Sequence, residues 1–471
     1  MKQSDNQMDK QSDNQKKNDF SRGSVVGNIM KLAVPMTLAQ LINVLYNIVD
    51  RIYIGMIPEN ATLSLTGLGL CLPIISIVIA FANLFGMGGA PLCSIERGRG
   101  NEKEAEAIMG NSFVMMVAVG ILLTILGLSI QTPHAVPVWR QRCNHQLCGF
   151  LHNHLSSGQY LCHDRPGHEQ LYQLPRALGT VGMMTVLLGA VTNIGTWILL
   201  FIFVFHMGVR GAALATILSQ MLSALWILAF LTGRRTILKL RPSAMKLDAG
   251  RLLRIVGLGM SGFTMSITNS LVQIMYNSML QKFGGDLYVG IMTVINSVRE
   301  VISMPVNGLT NSAQPVLGYN YGAREYKRVQ KAIVFMSVVC ILYTVVAWGF
   351  VDWFPAFFIR IFNREGDMVE AGIPAIRMYF FGFFMMSLQF AGQSVFVGLG
   401  KSRNAVFFSI FRKVIIVIPL IIILPTVFGM GTQGILMAEP ISNFIGGAAC
   451  FGTMLLTVWP ELKRGGEKNH S

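Results

Sequence analysis

GRGNEKEAE (98–106) and YGAREYKRV (321–329) are two versions of one phrase: a glycine, a charged turn and the opening of a charged helix. They stand about 222 residues apart. MGVRGAALA (207–215) and MGTQGILMA (430–438) stand about 223 residues apart. Two blocks at one offset argue for tandem halves in the same orientation, so the chain reads as one unit used twice.

Outward from these blocks the sequence is apolar. Of 471 residues, 52% are hydrophobic and only 13% are charged, against about 25% charged for a soluble domain. A compact soluble fold needs a polar shell, so this composition excludes a cytosolic enzyme, a nucleic-acid module and a disordered protein. A membrane span needs about 20 apolar residues. Runs of that kind lie near 28–55, 65–92, 109–130, 181–204 and 208–232, and then near 254–282, 288–318, 331–352, 370–399, 404–428 and 431–458. A twelfth would fit the gap at 131–178. Lys and Arg number 38 against 23 Asp and Glu, a formal charge of +15. The cations cluster in the N-terminal tail, at Arg97–Lys103, at Arg234–Arg254, at Arg324–Lys331, at Lys401–Lys413 and at Lys463–Lys468. Twelve spans put all the clusters on one side, as the positive-inside rule demands, which makes both termini cytoplasmic.

The fold class that follows is an all-α polytopic membrane protein. Twelve transmembrane helices, one of them corrupted, form two six-helix lobes related by a pseudo-two-fold axis. The boundaries are a disordered cytoplasmic tail at 1–24, an N-lobe at 25–232 (helices 1–6), a basic cytoplasmic linker at 233–253, a C-lobe at 254–460 (helices 7–12) and a cytoplasmic tail at 461–471. No secretory signal peptide is visible. Parallel repeats of this kind occur in secondary transporters, with the binding site between the lobes.

Residues 131–178 break the pattern. They hold six of eight histidines and three of seven cysteines. A Cys/His metal knuckle is the naive reading, but the spacing fits no zinc pattern and the segment replaces a helix that topology requires. A slip of reading frame explains it better. VWRQRC (138–143) can be encoded so that a one-base shift reads FGASDA, and shifted histidine codons give Ile, Met or Thr. With suitable codons the whole stretch becomes an apolar helix ending NSFINCQG. A second, shorter slip is expected at 195–200, where the codons of Thr196–Leu199 contain an Asp-Pro in another frame.

Asp50 is the leading candidate for chemistry. It lies in an apolar run, roughly 33 Å from Asn28 along a helix of about 1.5 Å per residue. An intramembrane carboxylate is costly and functional by default, and desolvation suits it to exchanging a proton or binding Na⁺. Tyr46 lies one turn below it and Asn47 nearly so. The structural alternative for Asp50 is a pair with Arg51 at the interface. Asn269, Asn277, Gln389 and Gln393 could line a cavity for cationic, amphipathic molecules or serve as helix–helix glue. Arg299 and Glu300 are expected to find partners near the eighth helix, and Arg377 and Glu439 to tie helices together. The 28 methionines and 29 phenylalanines suit a promiscuous lining or plain core filling. No P-loop, HExxH or GxSxG is present, so no catalytic residues and no metal site are assigned.

At this point the residues resemble a family. LYNIVDRIYIG (45–55), GMGGAPLCSIERGRGN (86–101), GMMTVLLGAVTNI (182–194), MGVRGAALATILSQ (207–220) and VFVGLGKSRNA (395–405) are similar, in this order, to the multidrug and toxic compound extrusion (MATE) transporters over nearly all of 25–460. The resemblance implies that Asp50 is the first-helix acid and Pro35 the kink-forming proline of that helix. It implies that Asn193 and Thr216 join the ion-coupling site, with Trp197 standing where an Asp is expected. Another branch of the family carries acids in helices seven and ten, but the stretches around Ile267 and Met386 are apolar. The implied function is secondary active efflux of cationic or amphipathic drugs by alternating access, coupled to inward H⁺ or Na⁺ flow. The implied setting is a bacterial-type plasma (inner) membrane, with a small-molecule substrate, no cofactor beyond the coupling ion, no nucleic acid, and a monomer in the bilayer. The alternatives are a lipid-linked sugar flippase of related fold, which predicts a basic cavity where the sequence offers only Arg299 and Arg377 as buried cations, or an inactive frame-damaged copy.

Overall fold

Apolar runs with few helix breakers become long helices, because within a bilayer only internal hydrogen bonds satisfy the backbone. The structure, a computed structural model, describes residues 23–55, 61–129, 240–362 and 366–468, with Phe20 and isolated positions between 188 and 231. In the first half these form α1 (Val25–Gly55), α2 (Ala61–Gly98) and α3 (Glu102–Ser129). In the second half they form α4 (Ala249–Gly322), α5 (Tyr326–Trp353), the short α6 (Pro355–Phe362), α7 (Gly366–Phe380), α8 (Phe384–Gly398), α9 (Ser402–Ile410), α10 (Ile418–Thr426) and α11 (Gly431–Lys468). Seven of the described helical stretches, or eight if the bent α7–α8 pair counts as one span, are long and apolar enough to cross a membrane.

Four details set the path of the chain. Residues 254–282 and 288–318 read as two spans, and they are two, run together as α4. The break is Gly285, at φ 66° and ψ −164°, a conformation that only glycine adopts readily. The span expected at 370–399 is bent by 43° between α7 and α8, at Gly382 with φ 68°. The span expected at 404–428 runs from α9 to α10 through a π turn, Phe411–Val417. The last helix continues past residue 460 to Lys468, held by Glu461, which accepts from the Tyr321 hydroxyl at 2.7 Å and pairs with Lys401.

The repeated phrase has a structural meaning. After α2, the N–H groups of Arg99, Gly100 and Asn101 donate to the carbonyls of Ile95, Arg97 and Glu96. After α4, Ala323, Arg324 and Glu325 donate to Tyr319, Tyr321 and Asn320 in the same order. This closing pattern needs one residue with positive φ, which is Gly100 at 78° in one copy and Arg324 at 61° in the other. The same turn closes α8 through Gly400 at 72°.

The two copies touch. A Cβ on Gly98 would strike the Tyr319 carbonyl, and a Cβ on Gly322 would strike the Ile95 carbonyl. Further along α2, Gly88 and Gly259 bring that helix against α4 at the carbonyls of Ile255 and Leu84. The lobes are thus in backbone contact at the end of the bundle that carries the basic clusters. Arg97 adds a cation–π contact across them, 5.2 Å from the Tyr319 ring centre. Arg251 and Arg254 of α4 both pair with Glu104 of α3, at 2.9 and 2.8 Å.

The N-terminal stretch expected to be disordered through residue 24 is packed at Phe20. Its ring lies edge-on to Tyr319, and its carbonyl accepts from Arg328 at 2.8 Å. In the basic linker, Asn111 of α3 grips both sides of the approach to α4. It donates to the Lys246 carbonyl at 2.9 Å and accepts from the Asp248 N–H at 3.0 Å. Asp248 then caps α4 by accepting from the Arg251 N–H at 2.8 Å. The core falls into three clusters. One lies around α5 and α8, one around the outer half of α4, α7 and α11, and one joins α2, α3 and the start of α4.

Candidate functional site

Two adjoining cavities lie between the lobes. The first, of about 310 Å³, is lined by Leu32, Met36 and Gln40 of α1, Asn83 and Met87 of α2, and Asn311 and Gln314 of α4, among others. The second, of about 520 Å³, is lined chiefly by α4, α8 and the π turn. Gln40, Met265, Asn307, Phe390 and Gln393 belong to both. Their sizes match those of small-molecule sites.

The α1 wall is a helical stripe: Leu32, Met36 and Gln40 recur every four residues. Pro35 sits inside α1 just below Met36 and cannot donate the helix bond to the Lys31 carbonyl. Tyr46, Asn47 and Asp50 belong to the upper part of the same helix. Asn193, Trp197 and Thr216, the segment 131–178 and the residues 195–200 lie outside the described residues.

Of the amides expected in the cavity, Asn269, Gln389 and Gln393 line the second cavity. Asn277 is exposed on α4 and lines neither. Gln393 donates to the Ala405 carbonyl at 2.7 Å and to the Ser409 hydroxyl at 2.9 Å, and Gln389 donates to the Phe408 carbonyl at 3.4 Å. The glue and lining roles therefore coincide: each amide ties α8 to α9 and leaves an acceptor oxygen, Oε1, without a donor among the described residues.

The charged lining is where the sequence reading is corrected. Arg412 and Lys413 read as part of a cytoplasmic basic cluster. They are instead buried in the π turn, at 8% and 6% side-chain exposure. Ten residues of helix, about 15 Å, separate Arg412 from the start of α9, so the position is well inside the span. Arg377, expected to be buried, is exposed and donates to the Asp352 carbonyl at 3.2 Å. Glu439 does tie helices together, but its partners are Arg412 at 3.0 Å, Lys413 at 3.2 Å and Arg299 at 3.8 Å. Asn443, one turn along α11, accepts from Arg412 as well. Glu300, expected to pair near the eighth helix, lines the cavity and makes no ion pair among the described residues. The span read at 404–428 already contains Arg412 and Lys413, and their burial agrees with that reading over the flank reading. The π turn that turns both neighbouring cations toward Glu439 has no signature in the sequence.

Among the described residues, no group of three or more His, Cys, Asp or Glu is arranged to hold a metal ion. Three cations around a buried carboxylate favour binding and electrostatic work rather than bond-making.

Comparison with known proteins then gives the following. The model of the MatE family matches residues 35–135 and 262–423, more than half of the chain. Multidrug export protein MepA of Staphylococcus aureus is 23% identical over 418 residues, covering 87% of this chain and 90% of the relative. MepA of Staphylococcus saprophyticus is 24% identical over 432 residues, covering 90% and 92%. Among solved structures, an outward-facing conformation of a multidrug resistance MATE family transporter of the MOP superfamily superposes with a TM-score of 0.83 at 19% identity, covering 94% of this chain and 98% of that one. A crystal structure of MATE in complex with MaD3S gives 0.84 at 20% identity with the same coverage. These likenesses show the fold, a bundle of twelve membrane-spanning helices.

Proposed function

From the premise that the chain belongs to the MatE family of membrane transporters, we propose that it exports amphipathic small molecules, cationic ones among them, against inward flow of H⁺ or Na⁺. The observation that carries this reading is the pair of adjoining cavities between the lobes, walled by amides, Met and Phe. Such a lining binds by shape and burial more than by fixed hydrogen bonds, which suits a range of amphipathic molecules. The export named for the MepA relatives supports it.

Coupling is assigned to Asp50. From Leu32 to position 50 is eighteen residues, about five turns of helix. On an unbroken helix that spacing returns to the face of Leu32, which is the ground for the assignment. Binding of the coupling ion there would bias one lobe arrangement, and reciprocal linkage would release the substrate. Tyr46, Asn47, Asn193 and Thr216 complete the proposed N-lobe site, Trp197 stands where a second acid is expected, and Pro35 lets α1 bend during the cycle. The backbone contacts of Gly98 and Gly322 hold the lobes together at the basic end. If that end is cytoplasmic, as the charge distribution argues, the conformation described is closed to the cytoplasm. We place the chain in a bacterial-type plasma membrane as a monomer with both termini cytoplasmic.

The test is transport in reconstituted vesicles with Asp50→Asn under an imposed pH gradient and, separately, a Na⁺ gradient. Export should follow one gradient and fall at least tenfold in the variant. Unchanged gradient-driven export would remove Asp50 from the mechanism.

A second reading has an observation in its favour. A lipid-linked sugar flippase calls for a basic cavity, and Arg299, Arg412 and Lys413 supply a basic arm. Flipping of a lipid-linked sugar by the protein, with no drug export, would decide for it.

A further inference from the structure

We propose that the C-lobe arm of the central cavity is a binding site for an anionic group, a sulfonate, carboxylate or phosphate, carried by an amphipathic molecule. The argument begins with charge. Arg299, Arg412 and Lys413 converge on Glu439, within 3.8, 3.0 and 3.2 Å of the same carboxylate oxygen. Lys413 reaches the second oxygen at 3.4 Å. One carboxylate cannot neutralise three cations. Glu300 is the acid among the residues lining this arm, and counting it together with Glu439 still leaves one formal positive charge in excess.

The location makes the excess matter. A cation inside a membrane protein is expensive unless an anion or water faces it. If the cluster served only to join helices, one Arg–Glu pair would do, and apolar residues of the same size would do as well. The surplus is turned to the cavity. Arg299 keeps a third of its side chain exposed there, at 33%, while Glu439 behind it is 2% exposed.

The hydrogen-bonding inventory agrees. Arg412 lines the cavity, is almost fully buried, and its Nε–H has no acceptor among the described residues. Asn443 accepts from Arg412 but its Nδ2–H₂ has none either. Buried donors without acceptors are costly; these two atoms are closed off from the cavity, so they mark a cluster short of acceptors, and the group open to an oxyanion is the partly exposed guanidinium of Arg299. Gln389 and Gln393 line the same wall, but their Oε1 atoms are buried away from the cavity. Gln393 reaches into the neighbouring cavity. The positive charge of the arm is thus gathered at Arg299 and the π turn, which fits the anionic end of a molecule.

This deepens the export reading, since it names the charged end of what the cavity holds. It does not depend on transport, because it concerns binding to the resting protein. The full-length protein is placed in nanodiscs of phosphatidylcholine and titrated with three naphthalene probes that differ only in a sulfonate, a neutral carboxamide or a trimethylammonium group. The sulfonate should bind about tenfold or more tightly than the other two. Arg299→Gln should abolish that preference with the thermal midpoint preserved. Glu439→Gln, which removes negative charge and keeps the shape, should tighten the sulfonate, a gain that unfolding cannot imitate. Equal binding of the three probes, or a sulfonate preference untouched by both substitutions, would overturn the site. Adding phosphatidylglycerol to the discs separates sources: displacement of the sulfonate supports the site with a lipid headgroup as occupant, and no displacement supports it with a soluble one. Failure here with gradient-driven export intact leaves the transport reading standing, and a preference for sulfonate without export leaves the site standing.

Discussion

The two lobes use one backbone plan and opposite charge plans. Aligned on their shared block, MGVRGAALAT (207–216) meets MGTQGILMAE (430–439), and the last pair sets Thr216 against Glu439. The same offset sets Arg412 and Lys413 against Gly189 and Ala190. Turns that must close helices are repeated to the hydrogen bond, whereas the residues that face the cavity are not. On the proposed roles, one half holds a single acid and the other a cluster of cations. If Asp50 handles the coupling ion and the cluster at Glu439 the anionic end of the ligand, the lobes divide the two parts of antiport between them.

The largest effect expected from testing this division comes from repairing the N-lobe. Sequencing the gene across the codons for residues 128–202 should show whether a frame shift restores FGASDA and an Asp-Pro after Asn193. The chain with those residues restored should export at least tenfold faster than the chain as written, measured as gradient-driven export in vesicles. Equal export by both would mean that the N-lobe needs neither its fourth helix nor a second acid.

Next in size is removal of the carboxylate that gathers the C-lobe cations. Glu439→Ala leaves Arg412 and Lys413 buried without a counter-charge, which costs about 3–5 kcal/mol. A fall in thermal midpoint of several degrees is expected, clearly larger than for Asp50→Asn, measured by thermal unfolding in the same detergent. Equal falls would erase the contrast between a stabilising cluster and a coupling acid.

The smallest effect tests what the lobes share. Gly98→Ala and Gly322→Ala each drive a methyl into the other lobe's backbone. Overpacking of this kind costs about 1–3 kcal/mol. Both should shift the lobes toward separation at the basic end and by similar amounts, read as a longer spin-label distance between positions 103 and 327. A shift in only one variant would show that the repeat is symmetric in its hydrogen bonds but not in its energetics.

Much of this was legible in the sequence. The helices, the lobe repeat and the basic end followed from apolar run length and charge placement, because the bilayer leaves little choice of backbone. Of the four amides read as cavity lining or helix glue, Asn269, Gln389 and Gln393 border the second cavity and Asn277 does not, since a polar group in an apolar helix needs a partner or water but the sequence does not say which. Arg412 and Lys413 read at once as charged flank and as part of the span at 404–428, because a basic pair ten residues past a turn fits either. What distinguishes burial from flank is Glu439, far away in sequence and brought near only by the packing of α11. The break at Gly285 falls in the gap between the spans read at 254–282 and 288–318, whereas Gly382 gives no such signal, because many glycines in these helices serve close packing instead, as Gly88 and Gly259 do.

The π turn at Phe411–Val417 has a consequence for how this site can evolve. A π turn holds one residue more than an α-helix needs. Loss of a single codon there would close the turn, rotate everything beyond it by about 100° relative to α9, and point one of the two cations away from Glu439. The ligand preference of the C-lobe therefore depends on the length of this segment as well as on its residues. Close relatives differing by one residue between 402 and 426 would carry different cavities even if Arg412 and Lys413 were kept.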